Sequence, residues 1–122
     1  MINIIMGNNK IIKIKGEKMV SKEDIENVKK YEGILNKQLE LIEKLDKTID
    51  EFKSNKEEYI KLRDYYNSKE YFEDLDKDRN GEYPEDLLRG IFSEDAVFDL
   101  FGEMFNIGIK MAETGLDTIK NY

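Results

Sequence analysis

The chain has no cysteine, no histidine, no tryptophan and one proline among 122 residues. Without cysteine there are no disulfides, no thiolate metal ligands and no thiol nucleophile. Without histidine the commonest general base and the commonest imidazole metal ligand are also missing. No run of about 18 uncharged apolar residues occurs, so no segment reads as a membrane-spanning helix. The N-terminus, MINIIMGNNKIIKIKGEKMV, lacks the apolar centre and small-residue cleavage site of a secretory signal, and a cytoplasmic location is expected.

What the chain has is charge. Charged residues make up 39% of it and the formal net charge is -7. That sign disfavours nucleic acid and anionic membrane as partners and favours a basic protein, or a second copy of the chain. The length suits one domain, expected over residues 19–122, with residues 1–18 as an extension.

In the extension, Ile2, Ile4, Met6, Ile12 and Ile14 alternate around Gly7-Asn8-Asn9-Lys10, as in a short β-hairpin. The alternative is a translated, unstructured leader. Lys15-Gly16-Glu17-Lys18 is encodable by a purine-rich ribosome-binding sequence ahead of a start at Met19.

Ser21 is the expected N-cap of the first helix, with Glu23 and Asp24 in its first turn. Ile25, Val28, Leu35, Leu39, Ile42, Leu45, Ile49, Phe52, Tyr59, Leu62 and Tyr66 recur at steps of three, four and seven. They form one apolar stripe on a charged rod, flanked by a thinner line of Ile34 and Leu41. Run unbroken from Ser21 to about Asn67, this helix would be roughly 70 Å long. Such a rod exceeds a compact monomer of this size. Either it bends near Ser54-Asn55 into a hairpin, or it stays continuous and partners cover it; the unbroken phase favours the rod.

Beyond Ser68 a short helix anchored by Tyr71, Phe72 and Leu75 is expected to lead into an acidic turn. Asp76-Lys77-Asp78-Arg79-Asn80-Gly81 matches the first half of a calcium loop, with Asp76, Asp78 and Asn80 as ligands. The second half fails, because Leu87 stands where a bidentate glutamate should close the cage. An Asn-Gly turn is the plainer reading, and no cofactor is expected.

Pro84 is expected to open a short helix ending at Arg89, with Gly90 as its left-handed cap. Ser93 should cap a last helix from about Glu94 to Lys120, with Glu94 and Asp95 in its first turn. That helix is apolar around most of its circumference, with Gly102, Gly108 and Gly115 permitting close approach. The fold expected is all-α: a long charged helix, continuous or bent, packed against an apolar C-terminal helix.

The carboxylates available for chemistry are Asp95, Asp99 and Glu103, spaced along one face of the last helix, with Tyr65, Tyr66 and Arg89 as groups that could converge on them. Their plainer roles are capping and surface charge, and no catalytic residue is assigned.

Tyr65-Tyr66-x-Ser68, followed by Gly81-x-Tyr83-Pro84-x-Asp86-Leu87-x-Arg89-Gly90-Ile91-Phe92-Ser93-Glu94-Asp95-Ala96-Val97-Phe98-Asp99-Leu100, resembles domain of unknown function family 4298. These are small bacterial proteins with a charged helix, a YYxS segment and an RG(V/I)(L/F)SEDA block. The resemblance extends from about Ile25 to Ile119, and Tyr71 stands where the family would carry tryptophan. It implies a helical fold and no activity. The resulting expectation is a non-enzymatic acidic interaction module, most simply a homo-oligomer. Its candidate binding residues are Tyr65, Tyr66, Arg89, Gly90, Ser93, Glu94, Asp95 and Asp99. The alternatives are an acidic inhibitor or immunity-type protein that neutralises a basic partner, and a calcium-binding protein.

Overall fold

Ser21 starts the principal helix as expected. Its hydroxyl accepts a bond from the Asp24 amide at 3.0 Å, while the Ser21 amide donates to the Asp24 carboxylate at 3.0 Å. This capping box satisfies two otherwise free donors. It also holds the Asp24 carboxyl below its ordinary pKa, the bond from the Ser21 backbone being the main cause.

A computed structural model describes residues 11–13 and 19–122. Strand β1 (Ile11–Lys13) pairs antiparallel with strand β2 (Met19–Ser21). Helices α1 (Lys22–Ser54), α2 (Lys56–Tyr66), α3 (Lys69–Arg79) and α4 (Ala96–Lys120) follow, with a single 3-10 turn (Gly90–Phe92) before the last. The protein is all-α in its body, with four α-helices among the described residues. Residues 11–13 pair with Met19–Ser21, a ladder the sequence reading did not include. The Gly7-Asn8-Asn9-Lys10 turn and the strand before it lie outside the described residues.

The chain divides into two compact units, residues 1–56 and 57–122. The continuous rod is likewise corrected, because the helical pattern is interrupted at Asn55. There the Ser54 hydroxyl donates to the Glu51 carbonyl at 2.8 Å and the Asn55 amide donates to the same oxygen at 3.2 Å. Side-chain and backbone donors thus share one carbonyl, the local competition that makes serine and asparagine poor helix interiors. The apolar phase that carries through this point reports the face of each helix and is silent about the break.

In the first unit, α1 has 33 residues and no buried one. From Val28 to Phe52 its stripe stands open, between 37% exposed at Ile49 and 66% at Val28. Ion pairs such as Lys44–Glu40 at 2.8 Å and Lys29–Glu26 at 3.5 Å decorate its surface. Exposed pairs of this kind contribute a few tenths of a kcal/mol each.

In the second unit the core is small and aromatic. Tyr71 is 7% exposed and Val97 5%. The ring of Tyr71 lies 4.9 Å from Tyr66, 5.6 Å from Tyr65, 5.6 Å from Phe72 and 6.1 Å from Phe92. Phe101 on α4 meets Tyr66 edge-on at 5.5 Å and Tyr59 at 6.3 Å. This chain of rings joins α2, α3, the 3-10 turn and α4, each pair adding about 0.5–1.5 kcal/mol beyond the area it buries.

Two local expectations are corrected between α3 and α4. Residues 85–89 form no helix; Pro84 begins one turn, closed by the Leu87 amide on the Pro84 carbonyl at 3.2 Å. Five residues form too few bonds to offset the cost of nucleating a helix. Gly90 opens the 3-10 turn with a right-handed backbone, and among the described residues the positive φ belongs to Gly81, at 73°. Helix α4 then begins at Ala96, two residues later than expected, with the Ser93 hydroxyl accepting from the Ala96 amide at 3.1 Å.

Candidate functional site

Ser68 sets the corner on which the site is built. Its hydroxyl donates to the Tyr65 carbonyl at 2.6 Å and accepts from the Tyr71 amide at 3.2 Å. One side chain therefore ends α2 and caps α3, which explains the serine in Tyr65-Tyr66-Asn67-Ser68. The two tyrosines before it are turned onto α3.

Asp74, on α3, receives both flanking phenols. The Tyr65 hydroxyl donates to its Oδ2 at 2.7 Å, and the Tyr83 hydroxyl lies 3.4 Å from its Oδ1. Lys77 Nζ stands 3.9 Å from the same Oδ1. Burial pushes the Tyr65 hydroxyl pKa well above the ordinary value, and its bond to Asp74 adds to the shift. Tyr71 and Tyr83 are also raised, each chiefly by burial, with the charge of Asp74 next in importance for Tyr83. All three phenols stay protonated at neutral pH, so they act as donors and packing surfaces.

Arg89 goes to α3 as well. Its Nε lies 3.6 Å from Asp78 Oδ1, an oxygen closed off from solvent that forms no hydrogen bond. The pair ties the loop before the 3-10 turn to the last turn of α3. Just beyond it, Tyr83 stacks on Phe92 at 5.9 Å with the rings 11° apart. An open cleft of about 410 Å³ runs beside these groups, lined by Tyr66, Tyr71, Phe92, Asp78, Arg79 and Glu94, among others.

The structure thus brings together five of the expected residues, Tyr65, Tyr66, Arg89, Ser93 and Glu94, around a centre on α3. It does not route them to the acidic line of α4. Tyr65 bonds to Asp74 and Arg89 pairs with Asp78, and the alternative in which they converge on Asp95, Asp99 and Glu103 is not the arrangement seen. Asp95 precedes α4 and its carbonyl accepts from the Asp99 amide at 2.8 Å, while Asp99 supplies first-turn negative charge. Gly90 and Ser93 shape the turn and the cap. Sequence reasoning missed Asp74, Ser68 and Tyr83. The available signal was a carboxylate set between the apolar anchors Phe72 and Leu75, nine residues from a tyrosine on either side.

The calcium-like segment has another physical role. Asp76 and Asp78 lie inside α3, two residues apart and so on divergent faces, and Asn80 is its C-cap residue. The Gly81 amide donates to the Asp78 carbonyl and the Glu82 amide to the Lys77 carbonyl, both at 3.0 Å. With Gly81 left-handed, this is a Schellman helix end. Among the described residues no group of three acidic side chains is arranged to hold a metal ion.

Fold and site together define a small acidic helical protein whose aromatic corner is clamped by one carboxylate and one ion pair. The chain belongs to the family described as Domain of unknown function (DUF4298), whose model matches residues 28–114. That span includes the Tyr-Tyr-x-Ser corner and the whole block from Arg89 to Leu100. No curated protein and no solved structure matches the chain. Among the described residues no helix is long and apolar enough to cross a membrane.

Proposed function

We propose that this protein is a non-enzymatic acidic interaction module that works by self-association through α1. The observation that carries this reading is the bare stripe of α1. Val28, Leu35, Leu39, Ile42 and Leu45 are each more than half exposed along one helix. A contiguous apolar face of this length on a charged helix is the mark of a protein-binding surface. A single helix also draws little stability from its own backbone and depends on packing that face. The C-terminal helix has an open apolar face as well, with Phe98, Phe105 and Ile119 each 68% exposed. The corner at Asp74 and Arg89 serves to hold α2, α3 and α4 in register.

Sedimentation velocity of the full chain at moderate salt tests the reading. The wild type should sediment as an oligomer, and Ile42→Lys with Leu45→Lys should yield monomer with the aromatic signal of the second unit intact. A wild-type monomer at high micromolar concentration would end the self-association reading. A monomer that captures one basic protein, and loses it at high salt, would replace it with the inhibitor class.

A further inference from the structure

Tyr71, at the centre of the second unit, carries a hydroxyl that no acceptor of the chain accounts for. The residue is 7% exposed, and among the described residues its backbone amide is bonded while its hydroxyl is not. Polar groups on so buried a side chain are as a rule bonded. Nor is this oxygen sealed in: the unbonded side-chain atom shut off from solvent is Asp78 Oδ1, and the Tyr71 hydroxyl is not. It therefore opens on the cleft of about 410 Å³ that Tyr71 lines.

The polar groups around it are mostly donors. Tyr66, whose ring lies 4.9 Å from that of Tyr71, lines the same cleft, and among the described residues its hydroxyl also has no acceptor. Arg79 lines it too, close enough for its positive charge to act on the Tyr71 phenol. Arg63 and Arg89 each pair with an aspartate, whereas Arg79 pairs with no carboxylate among the described residues, although the chain has a net charge of -7. Ser93 adds a fourth donor, since its oxygen accepts from the Ala96 amide and its hydrogen is left over. Asp78 is engaged with Arg89, which leaves Glu94 as the one unpaired carboxylate on the wall. The rest of the lining is apolar: Phe72, Leu75 and Phe92.

We propose that this cleft binds a small monocarboxylic acid with an aromatic body, its carboxylate held by Arg79 and the Tyr71 hydroxyl and its ring against Phe72, Leu75 and Phe92. A guanidinium offers paired N–H donors that match the two oxygens of a carboxylate. One positive charge beside one negative charge suits a monoanion, because Glu94 would repel a dianion such as phosphate more strongly. The volume lies at the small end of ligand pockets, and a few convergent polar groups on an apolar lining are their usual composition. The inference is independent of association through α1, since every residue it uses lies within residues 57–122.

The probe is 3-phenylpropionate, titrated into the full-length protein while the tyrosine ring signals are followed by NMR. The expected result is a saturable shift of the Tyr66 and Tyr71 rings with a Kd on the order of 1–10 mM, the range open to a ligand this small. 3-Phenylpropanol, which keeps the ring and loses the charge, should bind roughly tenfold more weakly, and so should the protein variant Arg79→Gln toward the acid. Tyr71→Phe, which keeps the packed ring, should weaken binding about fivefold. Glu94→Gln should tighten it about twofold by removing a like charge from an exposed position. The tyrosine circular dichroism of each variant shows that the unit is folded. Equal affinity for the acid and the alcohol would make the cleft an apolar trap and overturn the inference. Unchanged affinity in Arg79→Gln and Tyr71→Phe, or shifts that do not saturate, would overturn it as well. Tight binding of inorganic phosphate in place of the acid would replace the monocarboxylate with a different ligand and count against it. None of these outcomes bears on whether the chain self-associates.

Discussion

Replacing Tyr71 by alanine removes the side chain on which the second unit converges. The ring is 7% exposed and has four other rings within 6.1 Å. Burying an aromatic ring of this size is worth about 4 kcal/mol by area, and its edge contacts add to that. The open cleft beside it lets water enter the space left behind, so the cost falls at the lower end for aromatic deletions, about 3 kcal/mol. For a unit of this size that corresponds to a melting-temperature loss of roughly 12–24 °C. Urea unfolding followed by tyrosine circular dichroism near 275 nm reads the cluster directly. Tyr71→Phe keeps the ring and should cost less than about 1 kcal/mol, because among the described residues the Tyr71 hydroxyl has no hydrogen bond. Tyr71→Trp should retain the native signal, the cleft accepting the larger indole. A cost below about 1 kcal/mol for Tyr71→Ala would refute the view that this ring is the core of the unit.

Tyr65→Phe deletes the 2.7 Å bond to Asp74 and should lower urea stability by about 1–2 kcal/mol, while Asp74→Asn, which keeps an acceptor, should cost less. The raised phenol pKa values carry a definite sign. The folded state favours the neutral tyrosine, so that stability is fully present below the ordinary tyrosine pKa of 10.0 and is lost as pH rises above it. Thermal melts should therefore hold steady from pH 8 to 9.5 and fall beyond 10.5, less steeply in Tyr65→Phe; an equal fall in that variant would contradict the assignment. Gly81→Ala should cost about 1 kcal/mol, since φ of 73° is open to glycine and strained for alanine, and calorimetry would show it as a lowered melting temperature.

Much of the local structure was legible in the residues. Ser21 announced the N-cap, and the stripe from Ile25 to Phe52 marked both the helix and its apolar face; the return bond from Asp24 was not foreseen. The start of the last helix was placed within two residues because Ser93 carries a cap signal. The break at Asn55 was marked only by two weak helix formers, and the competition for the Glu51 carbonyl that makes it a break is a three-dimensional contact. The segment from Asp76 to Gly81 carried two readings, and the plainer one, a turn at Asn80-Gly81, is what the helix end shows. Its aspartates and glycine serve a helix end, and the same letters suit a calcium loop, since both need a tight turn and a left-handed glycine. At the site, Tyr65, Tyr66 and Arg89 stood out by type, and their true partners did not. Asp74 and Asp78 are two among many acidic residues, and only the turn at Ser68 brings them beneath the phenols and the guanidinium.

The claim that α1 is covered by another copy is tested most directly by melting the full chain at concentrations from about 1 µM to 100 µM, following helix content at 222 nm. Association through α1 binds the folded state alone, so the melting temperature of the helical signal should rise with concentration by several degrees. A single melting temperature across the whole range, with a monomeric mass at the upper end, would contradict the account.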